Sequence, residues 1–137
     1  MKKTYYLLLI VLVGCSKNPE DLKQHLSGYW EINEVTLSNG TKKVYNINET
    51  IDYITIDKDS VGFRKKLKPN FNGTYQTSKD VEHFIFKVEK DSLNLYYKTP
   101  FANWKETILH ASKDKLQIMN QNKDLYLYKR YIPITVD

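Results

Sequence analysis

The side chain best suited to chemistry in this 137-residue chain is that of Cys15, its only cysteine. It follows Lys2 and Lys3, an apolar run from Tyr5 to Val13, and Gly14. A charged region, an apolar region and a small residue, in that order, are typical of an export signal. The apolar run has about nine residues, whereas a helix that spans a bilayer needs about 20. We therefore predict that residues 1–14 are a signal peptide and that its removal leaves 123 residues.

The segment Leu12-Val13-Gly14-Cys15 resembles the lipobox of bacterial lipoproteins. The resemblance implies cleavage before Cys15, diacylglycerol on its sulfur and an acyl chain such as palmitate on the new amino group. Each buried CH₂ contributes about 0.8 kcal/mol of membrane affinity, so two or three chains give a stable anchor. In such lipoproteins Ser16 favours the outer membrane, at its periplasmic face or at the cell surface. The alternative is an ordinary secretory signal followed by a chance cysteine.

The other reactive side chains do not form a pattern typical of an enzyme or a metal site. His25, His83 and His110 lie far apart, without the cysteine or carboxylate spacing of metal ligands. A nucleophile elbow, a phosphate-binding glycine loop and a dinucleotide fingerprint are all absent from the sequence. We therefore predict a protein that is not an enzyme and that uses no metal and no cofactor.

The charge of the chain is only mildly basic. The formal net charge is +5, and it falls to +3 without Lys2 and Lys3. An excess of this size does not indicate a nucleic-acid partner. The most basic run, Arg64-Lys65-Lys66-Leu67-Lys68, is interpreted as a solvated strand face and turn. The alternative is that this run contacts anionic lipid headgroups.

Short segments rich in Tyr, Ile, Val, Phe and Thr recur about every 8 to 12 residues from Tyr29 onward, as in a β-sandwich or barrel. Turn-forming Asn, Asp, Ser and Gly separate them. One such turn is expected at Ser78-Lys79-Asp80. The predicted strands are Tyr29–Leu37, Tyr53–Asp57, Gly62–Leu67, Gly73–Thr77, His83–Val88, Ser92–Lys98, Lys105–Ala111, Lys115–Asn120 and Leu125–Tyr131. Residues 18–25 are expected to be a polar linker, with a helical turn over Asp21–Leu26.

Alternation of apolar and polar residues predicts which side chains point inward, because successive side chains of a strand face opposite sides. In Leu125–Arg130 both faces are partly apolar, so alternation does not choose between them. The predicted inward residues are Phe84, Phe86, Val88, Leu93, Leu95, Tyr97, Ile54, Ile56, Leu116 and Ile118.

Gly28-Tyr29-Trp30 opens the first predicted strand. It resembles the Gly-x-Trp motif of the lipocalin and wider calycin group, in which the tryptophan packs against a late Arg or Lys. Arg130 stands where that partner is expected, and a guanidinium over an indole is a favourable pair. Later segments, among them Trp104–Ile108, resemble the small lipocalin-like lipoproteins of Bacteroidota. The resemblance implies an all-β, antiparallel up-and-down barrel of about 8 or 9 strands.

The predicted organisation has three parts. These are a signal peptide at residues 1–14, the lipidated cysteine with its linker at 15–25, and a lipocalin-like β-barrel at 26–137. Ile132–Asp137 is either an edge strand or a tail.

The resemblance implies a cell-envelope protein that binds a small apolar or amphipathic ligand inside its barrel. The residues expected to line the ligand site are Phe84, Phe86, Leu95, Tyr97, Tyr126 and Tyr128. Phe101 and Trp104 flank a proline-stiffened connection, and we expect them to fold back and cap the barrel. The alternative is that they are exposed at the rim and contact a ligand or protein. The competing hypothesis for function is a filled barrel that docks a membrane protein complex.

Overall fold

The structure, a computed structural model, describes residues 18–58 and 60–133. Cys15, the predicted signal peptide and the last four residues of the predicted tail lie outside the described residues. Within those two ranges, no helix combines the length and the apolar character needed to cross a bilayer.

In the part of the chain that the structure describes, one short helix precedes nine strands. The elements are α1 (Pro19–Lys23), β1 (Gly28–Thr36), β2 (Lys42–Val44), β3 (Ile51–Lys58), β4 (Val61–Pro69), β5 (Tyr75–Glu89), β6 (Ser92–Lys98), β7 (Asn103–Ala111), β8 (Lys115–Asn120) and β9 (Leu125–Arg130). The bounds of β6 and β8 are those that the sequence predicted.

All nine strands belong to one antiparallel sheet that closes on itself. β1 pairs with β3 through Gly28–Trp30, each later strand pairs with the next, and β9 returns to pair with β1 from Trp30 to Thr36. These eight strands form the barrel, and β2 adds a short ninth strand to the free edge of β1. The predicted all-β, antiparallel up-and-down barrel is confirmed.

Helix α1 covers the end of the barrel at which β1 starts, which we call the closed end. Asn18 caps the helix, since its side-chain oxygen accepts a hydrogen bond from the backbone N–H of Glu20 at 3.1 Å. Leu22 and Leu26 are buried in the core of the barrel. The segment predicted as a linker therefore contributes apolar side chains that seal this end.

The opposite end is the mouth, which is bordered by the turns at residues 99–102 and 121–124. The packed core fills the barrel from the closed end up to its middle. It is built from inward-pointing aromatic and aliphatic side chains: Leu22, Leu26, Trp30, Ile54, Phe84, Phe86, Leu93, Leu95, Tyr97, Ile108, Ala111, Leu116, Ile118 and Tyr128. At Gly62 an added Cβ would lie 2.7 Å from the Phe84 ring, so only glycine lets these strands approach so closely.

Strand β5 corrects the prediction of two separate strands at Gly73–Thr77 and His83–Val88. It is continuous for 15 residues and passes through the expected turn at Ser78-Lys79-Asp80. Its register with β4 shifts there, because Lys65 pairs with Val81 but Leu67 pairs with Thr77. The Ser78 hydroxyl accepts a hydrogen bond from the N–H of Asp80 at 3.0 Å. The turn-forming residues thus make a bulge in the strand and do not reverse the chain.

Two further details differ from the sequence prediction. Strand β2 was not predicted, since it has only three residues, of which two are lysines, and all three are exposed. Val88 was predicted to point into the core, but it is 44% exposed. It pairs with the buried Leu93, so alternation places it on the inner side, but it lies one residue from the end of β5 and its side chain stays partly exposed there.

We predict that Gly28→Ala lowers the free energy of unfolding by about 3 kcal/mol. Gly28 has a φ of +131°, and a Cβ there would collide with Nη1 of Arg130. Gly40→Ala is the matched control, because Gly40 has a φ of +89° with no heavy atom within 4 Å of an added Cβ. The control should cost only about 1 kcal/mol. Urea unfolding of both variants measures the difference, and equal losses would contradict the proposed clash.

Candidate functional site

The six residues predicted to line a ligand cavity are divided between two environments. Phe84, Phe86, Leu95 and Tyr97 are buried in the packed core and touch one another: the Phe84 ring lies 5.1 Å from that of Phe86 and 5.2 Å from that of Tyr97. Only the remaining two line an open cavity at the mouth. The closed half of the barrel is therefore filled by its own side chains.

The cavity at the mouth has a volume of about 380 Å³. Its walls combine aromatic and polar side chains. Trp104, Tyr126, Tyr128 and Ile118 supply the apolar surface, while charged and amide side chains supply the rest: Arg64, Lys66, Glu106, Asn120, Gln121 and Asn122. A few polar groups among aromatic walls are typical of sites that bind and orient a small molecule.

Arg64 is the charged group at the centre of this half of the barrel. It lies on β4 between Ile54 of β3 and Glu82 of β5, and its side chain is only 14% exposed. Its Nε donates to Glu82 at 3.0 Å, and its Nη1 donates to Glu106 on β7 at 3.2 Å. One guanidinium therefore joins two carboxylates from two other strands.

The prediction that Arg64 belongs to a solvated basic face is therefore wrong. Gly62, Arg64 and Lys66 alternate along β4, and this alternation places them on the inner side. Burial in the barrel is tolerated because acidic partners surround the guanidinium. Lys66 is itself paired, with its Nζ at 2.6 Å from a side-chain oxygen of the buried Asp52.

The Tyr97 ring packs between the guanidinium of Arg64 and the indole ring of Trp104. The Cζ of Arg64 lies 4.9 Å from the centre of the Tyr97 ring, and the Trp104 ring stacks on Tyr97 at 4.8 Å with an interplanar angle of 5°. The hydroxyl of Tyr97 is buried and has no hydrogen-bond partner among the described residues. A buried hydroxyl of this kind is usually satisfied by an ordered water molecule.

The electrostatics of the site hold the guanidinium charged and the phenols neutral. Burial alone would lower the pKa of Arg64, but the acidic groups around it, Glu106 and Asp52 among them, raise it well above its ordinary value. Burial raises the pKa of Tyr97, although Arg64 opposes this effect. Burial also raises the pKa of Tyr128 far above its ordinary value. At neutral pH the tyrosines therefore keep their protons and act as hydrogen-bond donors.

At the closed end, Arg130 lies over Trp30. Its Cζ is 3.6 Å from the centre of the indole ring. The same guanidinium donates to the carbonyl oxygens of Lys113 at 2.8 Å, Ser27 at 2.9 Å and His25 at 3.0 Å. The two residues singled out by the resemblance are thus in contact, and they join β1, β9 and the turn before β8.

Trp104 and Phe101, the two aromatic residues at the β6–β7 connection, lie in different environments. Trp104 folds back against Tyr97 and the core, as expected. Phe101 does not cap the barrel, because it is 95% exposed in the turn between β6 and β7. This turn is fixed by Thr99, whose hydroxyl accepts from the N–H groups of Phe101 and Ala102, and it leaves the ring of Phe101 in solvent.

The histidines remain separate in the structure. His83 is exposed on β5, where its ring lies 6.1 Å from that of Phe63, and the carbonyl of His25 accepts from Arg130. Within residues 18–58 and 60–133, no group of three or more His, Cys, Asp or Glu residues is placed to hold a metal ion.

Comparison with known proteins agrees with this architecture. The family model described as "Lipocalin-like domain" matches residues 26–118. A crystal structure of a lipocalin-like protein from Bacteroides uniformis superposes with a TM-score of 0.48 at 8% identity, covering 78% of this chain and 99% of that chain. A search of curated proteins finds no match.

We predict that Arg64→Met destabilises the barrel by about 3 kcal/mol or more, because it leaves the buried Glu106 without its partner. The double variant Arg64→Met with Glu106→Leu should recover most of this loss, since no unpaired charge then remains at Glu106. Lys129→Met is the control, because its ion pair with Glu31 at 3.4 Å is half exposed and should contribute less than about 1 kcal/mol. Urea unfolding compares the variants, and a double variant no more stable than Arg64→Met would contradict the ion-pair account.

Proposed function

Because this chain belongs to the lipocalin-like domain family, we propose that it binds a small amphipathic ligand in the mouth of its barrel while a lipid on Cys15 holds it in the cell envelope. In this proposal the protein is a binding module without enzymatic activity. The membrane that it occupies is the outer membrane, as the sequence features around Cys15 and Ser16 imply.

The observation that carries the proposal is the composition of the mouth cavity. Its volume of about 380 Å³ suits a small molecule, and its walls combine Trp104, Tyr126 and Tyr128 with charged and amide groups. The apolar part of a ligand would pack on these rings. Its polar part would face Glu106 and the side-chain amides of Gln121 and Asn122. A purely apolar ligand would cover these polar groups without forming hydrogen bonds to them, and this supports an amphipathic one.

The filled closed half of the barrel also supports a ligand at the mouth. A molecule placed among Phe84, Phe86 and Leu95 would have to displace a packed core, and side chains in such cores already fill the space at high density. The ligand site therefore shifts from the centre of the lumen toward the mouth.

One observation favours a second candidate function. Phe101 is 95% exposed at the rim, and exposed aromatic side chains are enriched among the residues that dominate protein interfaces. In this second proposal the barrel is a scaffold that presents its rim to a protein of the envelope.

The first test of the ligand proposal is native mass spectrometry of residues 17–137, purified gently from an envelope extract of the host. An added mass that organic solvent removes, and that one metabolite or lipid restores, is the expected result. Binding should also change the fluorescence of Trp104 at the mouth, whereas Trp30 is fully buried at the closed end.

Trp104→Phe is the matched control for this measurement. It should abolish most of the fluorescence change and leave the emission of Trp30 unaltered. If the protein carried no added mass and bound neither molecules from the extract nor apolar dyes, the ligand proposal would be excluded. Crosslinking at Phe101 would then test the second proposal.

We predict that Cys15→Ser releases the protein from the membrane fraction. The wild-type chain should carry the mass of a diacylglycerol on its first mature residue, and at least two acyl chains should hold it stably in the bilayer. Mass spectrometry and membrane fractionation of both chains measure this. Ser16→Ala is a suitable control, because it leaves the thiol in place. A wild-type chain with an unmodified thiol would contradict the anchor.

A further inference from the structure

A second concave surface lies on the outer wall of the barrel, across β5, β6 and β7. This groove has a volume of about 650 Å³. We call it the lysine groove, because Lys87, Lys98 and Lys105 line it around an apolar floor of Val61, Ile85 and Tyr96. Neither the ligand site nor the anchor uses these residues.

The register of the strands explains why these side chains meet. Ile85 pairs with Tyr96, and Tyr96 pairs with Lys105, so the three lie in one row on the outer face. The ammonium groups of Lys87 and Lys105 lie 5.1 and 5.8 Å from the centre of the Tyr96 ring. The row therefore combines positive charge with apolar surface.

The groove carries an excess of positive charge. Its lining contains no carboxylate, and among the described residues none of the three lysines has a carboxylate oxygen within 4 Å. The carboxylate that faces them from the end of β5 is Glu89. It accepts hydrogen bonds from the hydroxyl of Tyr96 and, at 3.1 Å, from the side-chain amide of Asn94. One carboxylate thus balances only part of the charge of three lysines.

The exposed Phe101 lies at the end of this groove that is nearer the mouth of the barrel. It lies in the turn between Lys98 and Asn103, both of which line the groove. Trp104 and Gln121 line both the groove and the mouth cavity, so the two sites share one wall. An aromatic side chain beside lysines is the arrangement that places a protein at a membrane interface, with the ring among the headgroups and the ammonium groups near phosphates.

We propose that the lysine groove and Phe101 dock the barrel on an anionic membrane surface. The phosphates of the lipid headgroups pair with Lys87, Lys98 and Lys105, and Phe101 inserts between the headgroups. This contact sets the orientation of the barrel and brings the mouth cavity next to the bilayer. This membrane contact does not depend on the lipid at Cys15. Its test is also independent of the test of the ligand proposal.

The test uses residues 17–137, which lack Cys15. Helix α1, the closed barrel and its buried cluster all lie within residues 18–133, so this chain contains the contacts that fold the domain. Sedimentation with vesicles of phosphatidylcholine, with and without phosphatidylglycerol, measures the partition coefficient. We expect binding that requires phosphatidylglycerol and that weakens as salt is added.

The decisive comparison is between two triple variants with the same change in net charge. K87Q/K98Q/K105Q should lower the partition coefficient roughly a hundredfold, because each lysine near an anionic surface contributes roughly a fivefold factor. K43Q/K79Q/K113Q alters exposed lysines outside the groove, and it should lower the coefficient only a few-fold. Phe101→Ser should weaken binding more than Phe71→Ser, which removes a 90% exposed phenylalanine elsewhere.

Three results would overturn the inference. The first is equal loss of binding in the two triple variants, which would show that net charge alone attracts the protein. The second is a wild-type chain that does not bind phosphatidylglycerol vesicles, or that binds pure phosphatidylcholine as tightly. The third is saturable binding of a polyglutamate peptide without vesicle binding, which would assign the groove to an acidic protein.

Discussion

The packing of Arg130 on Trp30 is the contact on which the rest of the barrel depends. A barrel must join its last strand to its first, and here that pairing ends at these two residues. The guanidinium covers the indole and donates hydrogen bonds to the carbonyl oxygens of Ser27 and His25 in the segment that follows the helix. The indole N–H donates to Leu26 at 2.8 Å, so the same residue pair also fixes the segment that seals the closed end.

Because apolar side chains seal the closed end of the barrel, a cavity forms only toward its mouth. The core occupies the lumen up to Tyr97, and beyond it the inner wall becomes charged. Charged side chains are stable at this position because they are paired: Arg64 forms ion pairs with Glu82 and with Glu106. The network lies beside Trp104, which also forms part of the outer wall groove. The mouth cavity and the outer groove are therefore neighbours on the barrel.

Much of this fold is visible in the sequence. Strands bounded by clear turns and strict alternation, such as Ser92–Lys98, have the predicted limits, because pairing on both sides fixes their register. The continuity of β5 was not predictable, since Ser78 and Asp80 have the same local chemistry in a bulge as in a turn. The role of Arg64 was hidden for a different reason. Its partners lie 18 and 42 positions away, and no local pattern connects them. The exposure of Phe101 was missed for another reason: it follows from the turn geometry set by the nearby Thr99, whereas the apolar character of the side chain suggested burial.

The pairing of β1 with β9 also decides how the barrel responds to mechanical force. The two strands are antiparallel and share a register that extends from Trp30 to Thr36. A pull on Asn18 is passed to the start of β1, because Leu22, Leu26 and the Arg130 contacts fix α1 to that end of the barrel. A load between Asn18 and the mouth runs along the strands and shears the β1–β9 hydrogen bonds together, whereas a load between Asn18 and the end of β9 would open them one after another. The resistance of the domain to tension therefore depends on where the second point of load is applied.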